Sequence, residues 1–241
     1  MEGVKLLHSA LEAGAPVEAV FVDDRARSNA EVLTLLDAAL EQGARIFDLA
    51  PGVLERVADT VTPQPVLAVV GMPDATLDEL AGATFVVVCV DVRDPGNAGA
   101  VIRVAHAAGA DAVVCTEGTV DPFNPKTVRA SAGSVLHIPI VVDGDAETVL
   151  DALKGHGLRC LAAVSRGGTL YSDVDVASPF ALVLGNEASG LPSHLAQRLD
   201  ATVTIPMGGG AESLNVSTAA AVLCFDAARR RSNLHVMGEA R

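Results

Sequence analysis

Apolar residues recur every three to four positions in some segments of the first 71 residues and form short continuous runs in others. The helical spacing predicts helices in GVKLLHSALEAG (3–14), NAEVLTLLDAALEQG (29–43) and PGVLERVAD (51–59). The short runs predict strands in VEAVFVDD (17–24), ARIFDLA (44–50) and PQPVLAVVG (63–71). Residues 1–71 are therefore predicted to form a small α/β domain, and residues 72–84 (MPDATLDELAGAT) are the best candidate for a linker.

From residue 85 onward the predicted strands are apolar along their whole length. They are FVVVCVDV (85–92), DAVVCTEG (111–118), SVLHIPIVV (134–142), LRCLAAVS (158–165), FALVLGNE (180–187) and ATVTIP (201–206). Helices are predicted at 98–108, 125–132, 146–156, 192–198 and 214–231. Strands that are apolar on both faces and are separated by helices indicate a parallel sheet covered on both sides. We therefore expect residues 85–241 to form an α/β domain on such a sheet.

The composition limits the class of protein. Half of the chain is apolar, but only 3% is aromatic and there is no Trp, so the core is expected to consist of Ala, Val and Leu. No apolar run approaches the roughly eighteen residues of a membrane span, and the first residues lack the cationic region and cleavage site of a secretory signal. The four cysteines are widely spaced without a C-x-x-C pattern. These features predict a cytoplasmic protein with buried, reduced thiols and no membrane partner.

The charge distribution bears on possible partners. The net charge of −13 argues at first against a nucleic-acid-binding protein, because phosphate contacts need Lys and Arg. Residues 1–80 carry 5 Lys and Arg against 14 Asp and Glu, whereas residues 81–241 carry 12 against 16 and include the run Arg229–Arg231. An anionic partner is therefore expected to contact the second part of the chain first.

Ligands of open parallel sheets bind beyond the carboxyl ends of the strands, so the loops that follow strands carry the candidate chemistry. The first such loop, DVRDPGNAGAVIRVAHAAG (91–109), contains Asn97 as a predicted helix cap. Arg103 follows inside an apolar helix, where it is either an ordinary surface arginine or a guanidinium group that needs an anionic partner. His106 lies near the same face and fits a structural histidine.

Two further loops have unusual polar residues. In LVLGNEASGLP (182–192), Glu187 is either a charge at a helix start or part of a polar cluster in a cleft. In MGGGAESLNVSTAAAVLCF (207–225), three glycines precede an apolar helix with Ser213 and Asn215 in its first turn. The helix is apolar nearly all round, which predicts burial, and its start suits an anion or the polar edge of a ligand. The alternative is that Ser213 is an N-cap and the glycines form a flexible connection.

Several common sites are absent from the sequence. There is no G-x-x-x-x-G-K-[ST] P-loop, no G-x-G-x-x-G between a strand and a helix, no H-E-x-x-H, no Cys/His cluster with zinc spacing and no G-x-S-x-G. The residues by themselves therefore predict an α/β protein with a polar cleft built from three loops at strand ends.

Together and in this order, the three loops resemble the SpoU (TrmH-like) branch of the SPOUT RNA methyltransferases. DPGNAGAVIRVAHAAGAD is similar to that family's first motif, LVLGNEASGL to its second, and IPMGGGAESLNVSTAAAVLCFDA to its third. These motifs cover most of residues 85–230. The first seventy residues resemble the small ribosomal-L30-like domain of many members, with EGVKLLHSAL and TPQPVLAVV as weaker signatures.

The resemblance implies a parallel sheet whose C-terminal part passes through a loop to form a trefoil knot. It also implies S-adenosylmethionine (AdoMet) as the methyl donor, a homodimer, and methyl transfer to a ribose 2′-hydroxyl of RNA. No metal is expected, because the sulfonium of AdoMet is already an activated donor.

The resemblance also assigns roles to residues. The expected catalytic cluster consists of Asn97, Arg103, Glu187, Ser213 and Asn215. The expected cofactor site, formed mainly by backbone, consists of Leu184, Gly185, Asn186, Ile205, Met207, Leu214 and Ser165. Glycines suit a loop whose main chain curls closely around a ligand. The candidates for phosphate contact are Lys126, Arg129, Arg166 and the run Arg229, Arg230 and Arg231, for which favourable charge at a helix C-terminus is the alternative.

In the family that this chain resembles, the arginine of the first motif, here Arg103, is usually proposed as the base, and this role has a physical difficulty. A guanidinium group, with a pKa above about 12, does not readily lose a proton. We therefore expect Arg103 to bind the phosphate beside the target ribose and to orient the hydroxyl. That phosphate, or a transiently neutral Arg103, then accepts the proton.

The expected substrate is ribosomal RNA, 23S rRNA in particular, since the L30-like domain points there by analogy. Two alternatives stay open at this point, namely a tRNA 2′-O-methyltransferase and a non-catalytic RNA-binding protein of the same fold.

Overall fold

The computed structural model describes residues 1–58, 62–73 and 75–239, with side chains as far as Ser232. The chain divides into two compact units. The first contains Met1–Pro73 together with Ala132–His137, and the second contains Asp74–Ser131 and Ile138–Arg241. The last residue of the predicted helix 51–59 lies outside the described residues. The same holds for residue 74 of the predicted linker 72–84. The domain boundaries at 71 and 85 stay a prediction.

The first unit is a small α/β layer. Its elements are α1 (Val4–Glu12), β1 (Val17–Val22), α2 (Asp24–Arg27), α3 (Ala30–Glu41), β2 (Arg45–Asp48), α4 (Leu54–Val57) and β3 (Val66–Val70). The sheet order is β2-β1-β3, with β2 parallel and β3 antiparallel to β1. The apolar faces of α1 and α3 form a core with one face of this sheet. The sequence did not predict α2, which is a single turn started by the Asp23 side chain accepting from the amide of Arg25 at 2.9 Å.

The prediction of a strand over 134–142 is wrong for its first half. Ser134–Leu136 form a single 3-10 turn, and only Ile140–Val142 are extended. The turn follows Gly133, whose φ of +90° lies in the left-handed region that glycine tolerates. Leu136 packs against the core of the first unit, and Ser9 Oγ lies 2.8 Å from His137 Nε2. The apolar run is divided because it serves the cores of both units.

The second unit is built on one sheet of seven parallel strands, which confirms the predicted fold class. Its elements are β4 (Phe85–Cys89), α5 (Pro95–Ala107), β5 (Ala112–Cys115), α6 (Pro125–Ala130), β6 (Ile140–Val142), α7 (Ala146–Gly155), β7 (Arg159–Ala163), β8 (Thr169–Leu170), β9 (Phe180–Leu184), β10 (Ala201–Thr204) and α8 (Val216–Glu239). The strand order is β6-β5-β4-β9-β7-β10-β8. Every residue of β4, β5 and β9 is buried, as expected for a sheet covered on both faces.

The strand order brings distant loops together. β9 lies between β4 and β7, and Cys89 pairs in register with Leu184. The loops that follow β4 and β9 therefore start side by side at the carboxyl edge of the sheet, although about 90 residues separate them. The trefoil knot stays a prediction.

The starts of α5 and α8 differ from the predicted positions. α5 is capped by Asp94, whose side chain accepts from the amide of Asn97 at 2.8 Å, and it begins at Pro95. The prediction that Asn97 caps this helix is therefore wrong. α8 begins at Val216, so Ser213 and Asn215 precede it, and the Asn215 side chain accepts from the amide of Ser217 at 2.8 Å.

α8 is not buried all round, contrary to the prediction. Its buried residues, Val216, Ala220, Leu223, Cys224 and Ala227, recur at helical spacing and form one side of the helix. Phe225 retains 49% of its surface. Among the described residues, no helix combines the length and the apolar character needed to cross a membrane.

The segment 192–198, predicted as an α-helix, is a 3-10 segment over Ser193–Arg198. The strand β8 was not predicted, because two exposed residues produce no apolar run.

Candidate active site

A cavity of about 400 Å³ lies at the carboxyl ends of β7, β9 and β10. Its walls come from three segments at the ends of these strands, at 163–165, 184–191 and 203–216, together with Ala219 and Leu223 of α8. The structure brings together, as lining residues, all those predicted from the sequence to hold the cofactor: Leu184, Gly185, Asn186, Ile205, Met207, Leu214 and Ser165. Residues from separate motifs therefore share one concave site of the size that small-molecule sites have.

The loop after β9 is closed by its own hydrogen bonds. The amide of Gly190 donates to the carbonyl of Asn186 at 2.9 Å, and the amide of Asn186 donates back to the carbonyl of Gly190 at 3.2 Å. The Asn186 side chain accepts from the amides of Ala188 and Ser189 and donates through Nδ2 to the Asp91 carbonyl at 2.9 Å. Both the side chain and the main-chain amide and carbonyl of Asn186 are therefore engaged in hydrogen bonds with protein groups, and its expected contact with the cofactor stays a prediction.

Gly185 is needed for this loop, whereas the three glycines after β10 have no such constraint. A Cβ on Gly185 would lie 2.6 Å from the carbonyl carbon of Gly190 and 2.8 Å from the amide nitrogen of Leu191. A Cβ on any of Gly208–Gly210 would meet nothing within 4 Å. The expectation that these three glycines let the main chain curl around the cofactor stays a prediction.

A hydrogen-bonded chain of side chains joins the three sequence motifs. Asn97 Nδ2 donates to Glu187 Oε1 at 2.7 Å, and Asn215 Nδ2 donates to Asn97 Oδ1 at 2.9 Å. Asn215 Oδ1 in turn accepts from the amide and the hydroxyl of Ser217. Each amide uses its NH₂ and its oxygen at once, so the orientation of all three side chains is determined. Glu187 also lines the cavity, so the chain ends at its rim.

The other two predicted catalytic residues occupy different places. Ser213 lines the cavity. Arg103 lies exposed on α5 and is not among the lining residues. Its guanidinium group has no hydrogen-bond or ion-pair partner in the part of the chain that the structure describes. Arg103 is therefore a surface arginine without an internal anionic partner among the described residues. Its guanidinium donors are available to a ligand.

Comparison with known proteins identifies the family. The model of the SpoU rRNA methylase family matches residues 84–225. The chain belongs to this family. A second model, described as RNA 2′-O ribose methyltransferase substrate binding, matches residues 1–76.

Characterised members of the SpoU family are similar to this chain over most of its length. The 23S rRNA (guanosine(2553)-2′-O)-methyltransferase RlmP of Bacillus subtilis is 37% identical over 93% of this chain and 86% of its own. The 23S rRNA (uridine(2479)-2′-O)-methyltransferase of Streptomyces viridochromogenes is 33% identical over 95% of this chain and 82% of its own. The crystal structure of the SpoU methyltransferase AviRb from the same organism, in complex with the cofactor AdoMet, superposes with a TM-score of 0.85 at 31% identity and covers 96% of this chain and 89% of that one.

The basic residues predicted to contact RNA in this SpoU-family chain are in different situations. Lys126 and Arg166 are exposed, and Arg129 is half-buried. Arg229 pairs with Asp226 at 2.7 Å. Arg230 donates to the carbonyls of Tyr171 and Val174 at 3.0 and 2.7 Å.

Arg231 also has internal partners. It donates to Thr84 Oγ1 at 2.7 Å and to the Val176 carbonyl at 3.1 Å, and it lies over the ring of Phe180. These contacts favour a role of Arg230 and Arg231 in holding loop segments against α8. The helix-C-terminus interpretation of Arg229–Arg231 is wrong, because α8 continues to Glu239.

Sequence reasoning did not single out Glu212, which lines the cavity beside Ser213. Glu187 and Glu212 are the two charged side chains of the described lining, and it contains no Lys, Arg or His. The sequence feature that could have identified Glu212 is its position as the acidic residue between the glycines and Ser213 in the third motif. The site therefore carries negative charge.

The four cysteine thiols are free and buried. Cys89 and Cys115 lie opposite each other on β4 and β5, and the hydrogen bond between their thiols, together with burial, raises the pKa of Cys89 well above its ordinary value. Burial raises the pKa of Cys224 to about 12. Among the described residues, no group of His, Cys, Asp or Glu is arranged to hold a metal ion.

Proposed function

We propose that this chain is an AdoMet-dependent methyltransferase that methylates a ribose 2′-hydroxyl in 23S rRNA. The observation that carries the proposal is the hydrogen-bonded chain Glu187–Asn97–Asn215, because it joins all three motifs at the rim of one cavity. The family membership and the 23S rRNA activity named for the two relatives support it.

The cavity suits AdoMet by size, by lining and by charge. Its volume of about 400 Å³ falls in the range of small-molecule sites, and its lining includes apolar residues such as Leu184, Ile205 and Leu214. AdoMet carries a net positive charge, which the carboxylates of Glu187 and Glu212 complement. When bound, AdoMet supplies an activated methyl group, so the reaction needs no metal.

The residues around the cavity have distinct proposed roles. The main chain of 184–186 and 205–214 holds the cofactor, with Ser165 near the adenosine. Glu187, Asn97 and Asn215 form a rigid rim against which the ribose is positioned, and Ser213 is a further polar contact there. In-line alignment of the hydroxyl with the methyl group supplies much of the rate.

Arg103 is proposed to bind the phosphate next to the target ribose. A guanidinium group stays protonated at physiological pH and forms bidentate contacts with phosphate oxygens. Because Arg103 is exposed and has no partner among the described residues, no internal bond has to break before it binds RNA. Lys126, Arg129 and Arg166 are proposed as additional phosphate contacts. Arg229 and Arg230 already have internal partners, namely Asp226 for Arg229 and the carbonyls of Tyr171 and Val174 for Arg230.

The assembly of the protein is also a proposal. A homodimer would cover the exposed apolar face of α8 around Phe225, which retains 49% of its surface. We further propose a cytoplasmic location, where rRNA is modified, and a trefoil knot in the second unit.

The function is tested by incubating the protein with AdoMet labelled in its methyl group and with separate pools of rRNA and tRNA. We expect label in 23S rRNA, in a nuclease-resistant 2′-O-methylated dinucleotide. Label in tRNA alone would favour the tRNA enzyme, and no label in either pool would favour the non-catalytic RNA-binding protein. The two relatives modify different nucleotides, so mapping the labelled position is the next step.

The role of Arg103 is tested with Arg103→Ala. Removing one preorganised charge-stabilising donor typically lowers kcat by about 100- to 1,000-fold. We expect a loss of that order in methyl transfer, with the Kd for AdoMet within twofold of wild type. Arg56→Ala is the matched control, because Arg56 is another exposed arginine without a partner among the described residues. Unchanged turnover of Arg103→Ala would refute the assignment.

A further inference from the structure

The three-stranded sheet of the first unit has one face that does not belong to the core beneath α1 and α3. Side chains alternate between the faces of a strand, and the register puts Ala19 beside Arg45 and Phe21 beside Phe47. On the other side of β1, Ala19 pairs with Val69 and Phe21 with Leu67. We call the set Ala19, Phe21, Arg45, Phe47, Leu67 and Val69 the open face. Arg45, Phe47 and Val69 are exposed.

Two aromatic rings lie at the centre of the open face. The rings of Phe21 and Phe47 stack with centroids 5.2 Å apart and planes inclined by 18°. Phe47 retains 41% of its surface, whereas Phe85 and Phe180, the other stacked pair, are buried. The chain has only six Phe and one Tyr, so a stacked pair of which one ring is exposed and the other half-buried is an unusual use of them. An exposed apolar patch of this kind marks a candidate binding surface.

A single arginine accompanies the rings. The guanidinium carbon of Arg45 lies 5.8 Å from the centroid of the Phe47 ring. Arg45 has no hydrogen bond or ion pair with any described residue, whereas Arg25 and Arg27 of the same unit pair with Asp23 and Asp48. The donors of Arg45 therefore remain available next to the aromatic surface.

We propose that the open face binds an unpaired nucleobase of the RNA substrate, stacked on Phe47 and contacted by Arg45. Unpaired bases of RNA stack on aromatic side chains and on guanidinium planes. Stacking does not require positive charge, which explains how a unit within residues 1–80, with 5 Lys and Arg against 14 Asp and Glu, can hold RNA. The acidic surroundings disfavour a contact through phosphates alone, so an aromatic platform with one cation is the matching chemistry. The inference rests on the proposed function.

The test compares Phe47→Leu, which keeps an apolar side chain but removes the aromatic plane, with Arg45→Ala. The control is Leu40→Ala, because Leu40 is 53% exposed on α3, which packs on the opposite face of the sheet. We expect Phe47→Leu to raise the KM for a 23S rRNA transcript about tenfold, the effect of losing one stacked base. Arg45→Ala raises it several-fold, and Leu40→Ala leaves it unchanged. The kcat and the Kd for AdoMet stay at wild-type values in all three, since none of these residues lines the AdoMet cavity.

A direct readout uses the wild-type protein. Irradiation with a 23S rRNA transcript containing 4-thiouridine is expected to cross-link the tryptic peptide IFDLAPGVLER (46–56), which contains Phe47. A wild-type KM for Phe47→Leu together with no cross-link in this peptide would overturn the inference. A second outcome would also overturn it. If Phe47→Leu changed the molecular mass of the protein in sedimentation but left the KM for RNA unchanged, the open face would be a protein interface. Failure of the proposed function would give a different result, since the wild-type protein would then transfer no methyl group to RNA. In that case the cross-link would still show whether the open face binds RNA.

Discussion

The substitution Gly185→Ala isolates the contribution of one loop to the proposed cofactor site. Gly185 follows β9, and the added Cβ would lie 2.6 Å from the Gly190 carbonyl carbon, whereas ordinary contacts begin at 3.4 Å. The loop 185–191 must therefore move by about 0.8 Å, since the atoms in its way belong to the backbone and have no other rotamer. Overpacking of this kind typically costs about 1–3 kcal/mol.

The expected results depend on where this cost is paid. If it falls on the bound state, the Kd for AdoMet rises about 5- to 150-fold. If it falls on folding, the melting temperature drops by about 2–4 °C per kcal/mol for a unit of this size. Methyl transfer falls by on the order of 100-fold in either case, because Glu187 lies two residues along the displaced loop and a shift near 1 Å misaligns reacting groups.

Titration calorimetry with AdoMet, thermal unfolding followed by circular dichroism, and transfer of labelled methyl groups measure the three quantities. Gly144→Ala is the matched control, because its Cβ would meet nothing within 4 Å and this exposed residue does not line the cavity. We expect that control to bind AdoMet within about twofold of wild type. If Gly185→Ala bound AdoMet and turned over like Gly144→Ala, the steric reasoning about this loop would be refuted.

Two further predictions concern polar and titrating groups. Asn97→Ala removes the hydrogen bonds to Glu187 and from Asn215. We expect methyl transfer in the labelled-methyl assay to be slower by about 10-fold or more, with little change in melting temperature. An unaltered rate would contradict the role of the hydrogen-bonded side chains. Burial raises the pKa of the Cys160 and Cys224 thiols to about 12 from 9.0, so a thiol reagent at pH 8 should label the unfolded but not the native protein. Since the thiols of the unfolded chain lose their protons at lower pH than those of the native protein, the stability that the thiols contribute falls as pH rises from about 9 towards 12. Urea unfolding of wild type and Cys160→Ala at pH 8 and 10 measures this fall. The same pH dependence of the free energy of unfolding in both proteins would count against it.

Much of the fold could be predicted from local pattern. Most helices and strands of the second unit follow from apolar spacing, and full-length apolar runs such as FVVVCVDV correctly indicated a parallel sheet covered on both sides. The run SVLHIPIVV misled because a continuous apolar segment looks the same whether it enters one core or is divided between two. The assignment of roles to Asn97 and Arg103 came from the resemblance to the family, since neither residue type is diagnostic by itself.

The helix cap of α5 and the partners of Arg230 depended on which polar groups the fold brings within hydrogen-bonding distance. Asp and Asn are both residue types that favour helix caps. In the structure the Asp94 side chain caps α5 by accepting from the main-chain amide of Asn97, which leaves the side-chain Nδ2 of Asn97 to donate to Glu187. Arg230 looked like a phosphate ligand, but the carbonyls of Tyr171 and Val174 lie within its reach in the fold. Neither outcome can be read from residue type or spacing.

The sequence by itself determined most of the longer helices and strands, their alternation and the three loops that carry polar residues, because these depend on spacing within a few turns of chain. Only the tertiary structure decided that β9 lies beside β4, that Glu187 meets Asn97 across 90 residues, and that Phe21 stacks on Phe47 at an exposed face. The physical reason is that strand order and register determine which distant groups come within hydrogen-bonding or stacking distance, and many orders satisfy the same local pattern.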